Sequence, residues 1–340
     1  MISKNAKIYI AGHKGMVGSA CIRALTAAGY VNIIRKNSKK LDLRNQKAVD
    51  EFIGSEKPYA IVDAAARVGG ILANHRYPYE FLMDNMLIQN NLISAAHKNN
   101  IPKFIFLGSS CIYPKFAKQP IKEEYLLTGS LEPTNEYYAL AKISGLKLIE
   151  AIRKQYGRDY VSLLPSNLYG PFDNFDLSTC HVLPAMIRKF HNAKENNHAP
   201  VTLWGDGSPR REFLHVDDLG KAVLFSLENE YNHHFCNVGS GIEITIKSLS
   251  ELIQKIVGHL GEIIWDTSKP NGTPKKLMDS SKLNVKGWKP SIKLEKGLIK
   301  TYDWFLNNLE SLKEVKFNFD IAAPSLQNNV KNLKKKNSYK

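Results

Sequence analysis

The chain has 340 residues, 43% of them hydrophobic, and a formal net charge of +15 from 47 lysines and arginines against 32 acids. That is room for one large or two modest domains with a buried core, while no apolar run approaches the roughly 18 residues of a membrane span and no apolar signal core opens the chain. Four cysteines, Cys21, Cys111, Cys180 and Cys236, show neither CxxC pairing nor zinc spacing, so no metal is expected and a reducing, cytoplasmic setting fits best.

The basic charge alone would admit a nucleic-acid partner. It is diffuse, however, or gathered in the tail after Leu309 around Lys334-Lys335-Lys336, and no RNA-binding or zinc-finger signature accompanies it. Residues 310–340 read as a basic, poorly ordered appendage. Neither a nucleic-acid nor a membrane partner is expected.

Strand one is expected over Lys7–Gly12. It leads straight into Gly12-His13-Lys14-Gly15-Met16-Val17-Gly18, and a helix follows over Met16–Ala28. Glycines at i, i+3 and i+6 of a strand-to-helix turn let the backbone approach a pyrophosphate, with the helix N–H groups facing the anion. The spacing is GxxGxxG, which glycine-rich turns of other α/β proteins share. Further strands are expected at Asn32–Lys36, Tyr59–Ala66, Lys103–Ser109 and Asp159–Pro165, with helices at Gln46–Ile53, Tyr79–Lys98 and Thr134–Tyr156. Apolar strands alternating with amphipathic helices mean α/β architecture: a Rossmann-type, doubly wound parallel sheet.

After Gly170 the texture changes. Pro171-Phe172-Asp173-Asn174 breaks the pattern, and a helix is expected from about His181 to Asn192. VTLWGDG and REFLHVDDLGKAVLFSL follow, then a strand (Phe235–Gly239), a helix (Ile246–His259), a strand (Glu262–Asp266) and a last helix (Leu294–Asn307). The expected division is a dinucleotide-binding domain of residues 1–175 with contributions from about 212–240, and a smaller substrate-binding α/β lobe of 176–211 and 241–309. The chain would cross between them near Arg211 and Gly239. The lobe would cover the C-terminal edge of the sheet, where ligands of such folds bind. Asp217-Asp218 is expected to cap a helix rather than to hold a metal.

An NAD-specific site carries an acid at the end of strand two, on the ribose 2′-hydroxyl. Here that strand runs Ile33-Ile34-Arg35-Lys36-Asn37-Ser38, and no acid appears until Asp42. Arg35 and Lys36 suit a 2′-phosphate instead, so NADPH is the expected cofactor. Lys14 is placed to reach the same phosphate, and Asp42-Leu43 falls where the adenine would lie.

Strand four ends at Ser109-Ser110-Cys111, and Tyr138-Ala139-Leu140-Ala141-Lys142 lies on an expected helix. The i, i+4 spacing puts Tyr138 and Lys142 on one face. A cation there would lower the phenol pKa and let it shuttle a proton, and a serine hydroxyl nearby could hold a carbonyl oxygen. A glycine loop after strand one, a serine after strand four and YxxxK on the next helix together resemble the extended short-chain dehydrogenase/reductase family. Asn167-Leu168-Tyr169-Gly170-Pro171 strengthens the resemblance, because the family places such a segment beside the nicotinamide.

AGHKGMVGSA, AAARVGGI, FLGSSCIYP, EPTNEYYALAK, NLYGP, HVLPAMIRKFH, WGDGSPRREFLHVDD and GTPKKLMD narrow it further. They are similar to the subgroup of 3,5-epimerase-4-reductases that act on GDP-4-keto-6-deoxy-D-mannose, and the likeness covers roughly residues 5–308. The resemblance implies NADPH-dependent formation of GDP-L-fucose by epimerisation and then reduction. It implies Cys111 as base and His181 as acid at C3 and C5, with Tyr138, Lys142 and Ser109 serving the reduction at C4. Both a thiol and an imidazole exchange protons near neutrality. It implies cofactor contacts at Gly12, His13, Lys14, Gly15, Met16, Val17 and Gly18, and at Arg35, Lys36, Ser38, Asp42 and Leu43. Leu107, Gly108, Ser109, Ser110, Lys142, Pro165, Asn167, Leu168 and His181 complete that set. Substrate contacts are implied at Lys189, Trp204, Arg211, Asn271 and Lys276. Position 189 is more usually Arg in the subgroup and position 271 more usually Asp. The family also implies a homodimer built on a helix bundle that includes the YxxxK helix.

Rival readings are a 4-epimerase, a 4,6-dehydratase or a reductase of a 3,6-dideoxy sugar on the same fold. A dehydratase would need acids where Ser110 and Cys111 stand. A noncatalytic NADP- or RNA-binding protein has only the charge in its favour.

Overall fold

The computed structural model describes residues 2–269 and 271–312. In chain order the elements are β1 (Ile8–Ala11), α1 (Met16–Ala27), β2 (Ile33–Ile34), α2 (Gln46–Glu56), β3 (Ala60–Asp63), α3 (Ile71–Arg76), α4 (Pro78–Lys98), β4 (Lys103–Leu107), α5 (Glu136–Tyr156) and β5 (Asp159–Pro165). The second half adds β6 (Asn167–Tyr169), α6 (Val182–Glu195), β7 (Val201–Trp204), β8 (Arg210–His215), α7 (Val216–Glu228), β9 (Phe235–Val238), β10 (Glu243–Thr245), α8 (Ile246–Val257), β11 (Ile263–Asp266), β12 (Lys275–Lys276), α9 (Ser281–Val285) and α10 (Leu294–Leu306).

Six strands form a wholly parallel sheet in the order β2-β1-β3-β4-β5-β9. The order reverses between β1 and β3, which opens a crevice at their C-terminal ends. Strand alternation divides the core in two. Tyr9 and Ala11 of β1 join Phe104, Phe106, Leu146 and Ile149 beneath α2, α4 and α5. Ile8 and Ile10 join Leu25, Val161, Leu219 and Val223 beneath α1 and α7. Each strand is buried on both faces, which explains the near-continuous apolar runs. The ends of the helices are set locally. The Asn45 side chain accepts the Ala48 N–H to start α2, and α5 stops at Gly157 with φ +66°.

The lobe is built on β8. It pairs antiparallel with β10 and parallel with β12 and β6, while β7 pairs with β11. A third core of Met186, Phe190, Leu203, Leu249, Leu298 and Phe305 lies under these strands. Near the crossing expected at Arg211, Arg210–Glu212 pairs with β10, and the chain reaches the core beneath α1 and α7 at Leu214. A return is also added: Met278, Leu283 and Trp288 pack into the two sheet cores rather than the lobe. Asp217 and Asp218 are not the cap of α7. The His215 side chain accepts the Asp217 N–H there, and the two acids occupy the first turn, where they suit the helix dipole. No helix among the described residues is long and apolar enough to cross a membrane. A poorly ordered tail is expected over residues 310–340; Leu309–Ser311 forms a 3₁₀ turn, and residues 313–340 lie outside the described residues.

Candidate active site

The turn after β1 is shaped for close backbone approach. Gly12 has φ +73°, and a Cβ there would sit 2.5 Å from the Ala64 carbonyl oxygen. Gly15 begins α1 without any side-chain cap, so the first N–H groups of the helix are unspent. Beside them His13, Lys14 and Arg35 converge. Burial first, then the charges of Lys14 and Arg35, hold the His13 imidazolium below its ordinary pKa. These residues line a cleft of about 510 Å³ with Arg23, Phe172 and Trp304. A nucleotide phosphate fits such a set: open helix N–H groups, glycines a Cβ would spoil, and concentrated positive charge.

The other expected residues of this group follow β2. Lys36 bonds His13 through its backbone while its ammonium lies 5.6 Å over the Phe52 ring, and Ser38 is exposed. Asp42 is committed to Arg44, which holds its carboxyl below the usual range, with Nη2–Oδ2 at 2.9 Å. Leu43 accepts the Asn91 side-chain amide through its carbonyl. Sequence reasoning missed Trp304 and Phe172, which reach the cleft from α10 and the loop after β6.

The catalytic set gathers past β4. The Ser109 hydroxyl accepts the Cys111 N–H at 3.2 Å and starts a short 3₁₀ turn over Ser110–Ile112. On α5, Lys142 is buried, donates to the Leu107 carbonyl at 2.9 Å and lies 4.6 Å over the Phe106 ring. Burial brings its ammonium down to about 8, and Asp63 opposes that fall. The Tyr138 phenol bonds to Ser109. Its pKa is raised, not lowered as the YxxxK spacing suggested. Burial dominates, Cys111 adds to it, and Lys142 is turned toward Leu107, Phe106 and Asp63. A neutral phenol is the form that donates a proton.

Lys276 links this set to the lobe. Its ammonium lies 3.9 Å from the Cys111 sulfur. His181 precedes α6 at its N-cap position, and burial followed by the Lys276 charge lowers its pKa. Lys276 is paired in register with Arg211 of β8. Arg211 in turn reaches to 3.4 Å of where a Gly272 Cβ would stand. Asn271 accepts the Asp206 N–H at 2.9 Å and so fastens the turn after Trp204, which is 46% exposed at the end of β7. Lys189 donates to the Thr202 carbonyl on the same strand. Of the five expected substrate contacts, Lys276 stands beside Cys111 and in register with Arg211, while Trp204 and Lys189 belong to or bond with β7.

The remaining expected positions border the end of the sheet. Gly108 abuts the Leu164 side chain, and Pro165 ends β5. Asn167 donates to the Glu212 carbonyl at 2.8 Å, and Leu168 packs on the core beneath α1 and α7. Leu107 and Ser110 are buried. Glu212 and Asp63, both fully buried acids, were not singled out by sequence, since neither belongs to a periodic or spaced motif.

The model of the NAD dependent epimerase/dehydratase family matches residues 8–239. Over 309 residues the chain is 53% identical to GDP-L-fucose synthase 1 of Arabidopsis thaliana, covering 91% of this chain and 96% of the relative. It is 49% identical to GDP-L-fucose synthase of Escherichia coli over 317 residues, 90% of this chain and 98% of the relative. Among solved structures, a GDP-L-fucose synthetase from Naegleria fowleri bound to NADP superposes with a TM-score of 0.84 at 26% identity, covering 92% of this chain and 98% of that one.

Proposed function

We infer the reaction from one premise: the chain belongs to the NAD dependent epimerase/dehydratase family. It is an NADP-dependent epimerase-reductase that converts GDP-4-keto-6-deoxy-D-mannose to GDP-L-fucose, first by 3,5-epimerisation and then by reduction at C4. The observation that carries the reading is the clustering of Cys111, Ser109 and Tyr138 just past β4, with Lys276 beside Cys111 and in register with Arg211.

The C4 ketone acidifies the hydrogens on C3 and C5. Cys111 removes each proton, and His181 returns one on the opposite face. An imidazole with a lowered pKa is the stronger acid once protonated, which suits that role. The Ser109 hydroxyl accepts the Cys111 N–H and stands against the Tyr138 phenol, from which its hydrogen can turn to the C4 oxygen once the sugar is bound. Bound NADPH, held at the glycine turn and by Arg35 and Lys14, supplies the hydride to C4. Tyr138 gives its proton to the C4 oxygen, and Lys142 lies buried behind it as a fixed cation. Arg211, Lys189 and Lys276 meet the diphosphate with positive charge, and Trp204 offers a ring for the base. The Asn271 oxygen accepts the Asp206 N–H and its side chain also bonds the Asp206 carboxylate, which fixes the turn beside Trp204.

The same enzyme is proposed to work as a homodimer. Tyr79, Met83 and Leu87 of α4 and Tyr137 and Leu140 of α5 are 37–67% exposed on two helices that pack together. A second copy would cover that apolar face in a helix bundle. Its four cysteines are free, as suits the cytoplasm.

The test is turnover of GDP-4-keto-6-deoxy-D-mannose with NADPH, followed by absorbance and by product structure. One NADPH should be consumed per GDP-L-fucose, and NADH should serve less well. A product that keeps the D configuration at C5, or no oxidation at all, would overturn the reading.

A further inference from the structure

The reaction draws on no acid from β3, yet β3 ends in one. Asp63 is 0% exposed and follows Ala60, Ile61 and Val62 in the strand. A buried carboxylate is costly unless it is paired. Its Oδ1 accepts the Ala65 N–H at 3.2 Å, and its Oδ2 has no hydrogen-bond partner among the described residues.

Strand register says what it faces. Asp63 stands across from Phe106 of β4, and residues in register in a parallel sheet point to the same side. Phe106 carries the ring under the Lys142 ammonium, and the next residue, Leu107, supplies the carbonyl that Lys142 donates to. The acid and the lysine thus share one buried face at the C-terminal ends of neighbouring strands. We propose that Asp63 is a positioning residue of the reduction, the fixed counter-charge that holds Lys142 as an aligned ammonium behind Tyr138. The proposal rests on Lys142 belonging to the reductive machinery.

The surroundings leave this pairing little competition. Tyr138 precedes Lys142 by one turn on α5, and Cys111 faces Tyr138. Tyr9 of β1 faces Asp63. α4 brings the neutral amide of Gln89 to α5, and β5 brings the neutral Ser162 in register with Phe106. The two charges support each other against burial. Asp63 is lifted to about 6 by burial and Lys142 lowered to about 8, each against the pull of the other. Both are therefore ionised between those values. Without the carboxylate, Lys142 keeps the burial cost and loses its compensation, so its proton leaves at lower pH.

The test uses the full chain labelled with ¹⁵N-lysine and titrated by NMR, with the Lys142 signal identified by its loss in Lys142→Arg. Asp63→Asn should lower the Lys142 midpoint by about one pH unit or more, and Asp63→Glu should restore part of it. In turnover of GDP-4-keto-6-deoxy-D-mannose, the alkaline limb of kcat/KM should move down by the same amount. Asp63→Leu, which replaces the acid with an apolar side chain, provides the same reading should the asparagine variant not fold. An unchanged Lys142 midpoint in either folded variant would overturn the proposal. The titration needs no substrate, so a shifted midpoint in a chain that does not turn over this sugar would sustain the pairing and refute the substrate instead.

Discussion

The proposed role of Cys111 as the base acting on carbon acids rests on what surrounds it. Its N–H is tied to Ser109, its sulfur lies 3.9 Å from Lys276, and Tyr138 is within its field. Cys111→Ala should cut GDP-L-fucose formation by about 10²–10⁴-fold, the usual worth of a general base. NADPH affinity, measured by fluorescence titration, should stay unchanged. Tyr138→Phe should do the converse. Reduction should fall by a similar factor while exchange of substrate C–H with solvent deuterium continues, as NMR of the sugar would report. The pH dependence of kcat/KM follows from the Lys142 site. Lys142 charged is the active form, and burial has lowered its pKa to about 8, so activity should fall as pH rises through that value. It should also fall below about 6, where Asp63 takes up a proton. Ser109, Cys111, Tyr138 and Lys142 were legible because their chemistry and spacing are bound together in sequence. Asp63 was not, since a single acid at a strand end has no partner until the strands are set in register. The direction of the Tyr138 shift was also misread, because spacing shows which side chains share a face but not where a flexible lysine turns.

Elements bring these residues together from distant parts of the chain. β1 and α1 flank the glycine turn proposed to hold the cofactor phosphates, and Gly12 is one of its residues that has no room for a side chain. A Gly12→Ala side chain would meet the Ala64 carbonyl in a backbone region that L-residues avoid. It should weaken NADPH binding at least about tenfold and cost about 1–3 kcal/mol of stability, measured by titration and urea unfolding. α4 and α5 are long helices with an apolar outer face, and Leu87→Glu with Leu140→Glu should give a folded monomer by light scattering. A mass that the two substitutions leave unchanged would contradict the proposed dimer through this face. The long helices and β1, β3, β4 and β5 were readable from period, and the two-residue β2 from its place in the strand–helix alternation. β6, β10 and β12 were not, at two or three residues each, too short for any alternation to register. They exist because β8 lies beside them, and that is a tertiary fact.

At the scale of the molecule, the proposed site draws on the sheet for its glycine turn and on the β8–β12 region for cations such as Lys276 and Arg211. Glu212 fastens the two. It is fully buried and accepts the Gly241 N–H at 2.6 Å and the Met278 N–H at 2.9 Å, tying β8 to both chain crossings. The net charge of +15 suits a protein whose cofactor and substrate are both polyanions. Raising ionic strength should therefore lower kcat/KM for the GDP-sugar more than kcat. The central claim is that one pocket performs both chemistries on one sugar. The direct measurement is turnover of GDP-4-keto-6-deoxy-D-mannose with NADPH in deuterated water, read by product mass and NMR. Carbon-bound deuterium at both C3 and C5 of GDP-L-fucose is the predicted result. NADPH consumption with no deuterium on carbon would contradict it, leaving a simple 4-reductase in which Cys111 and His181 move no proton.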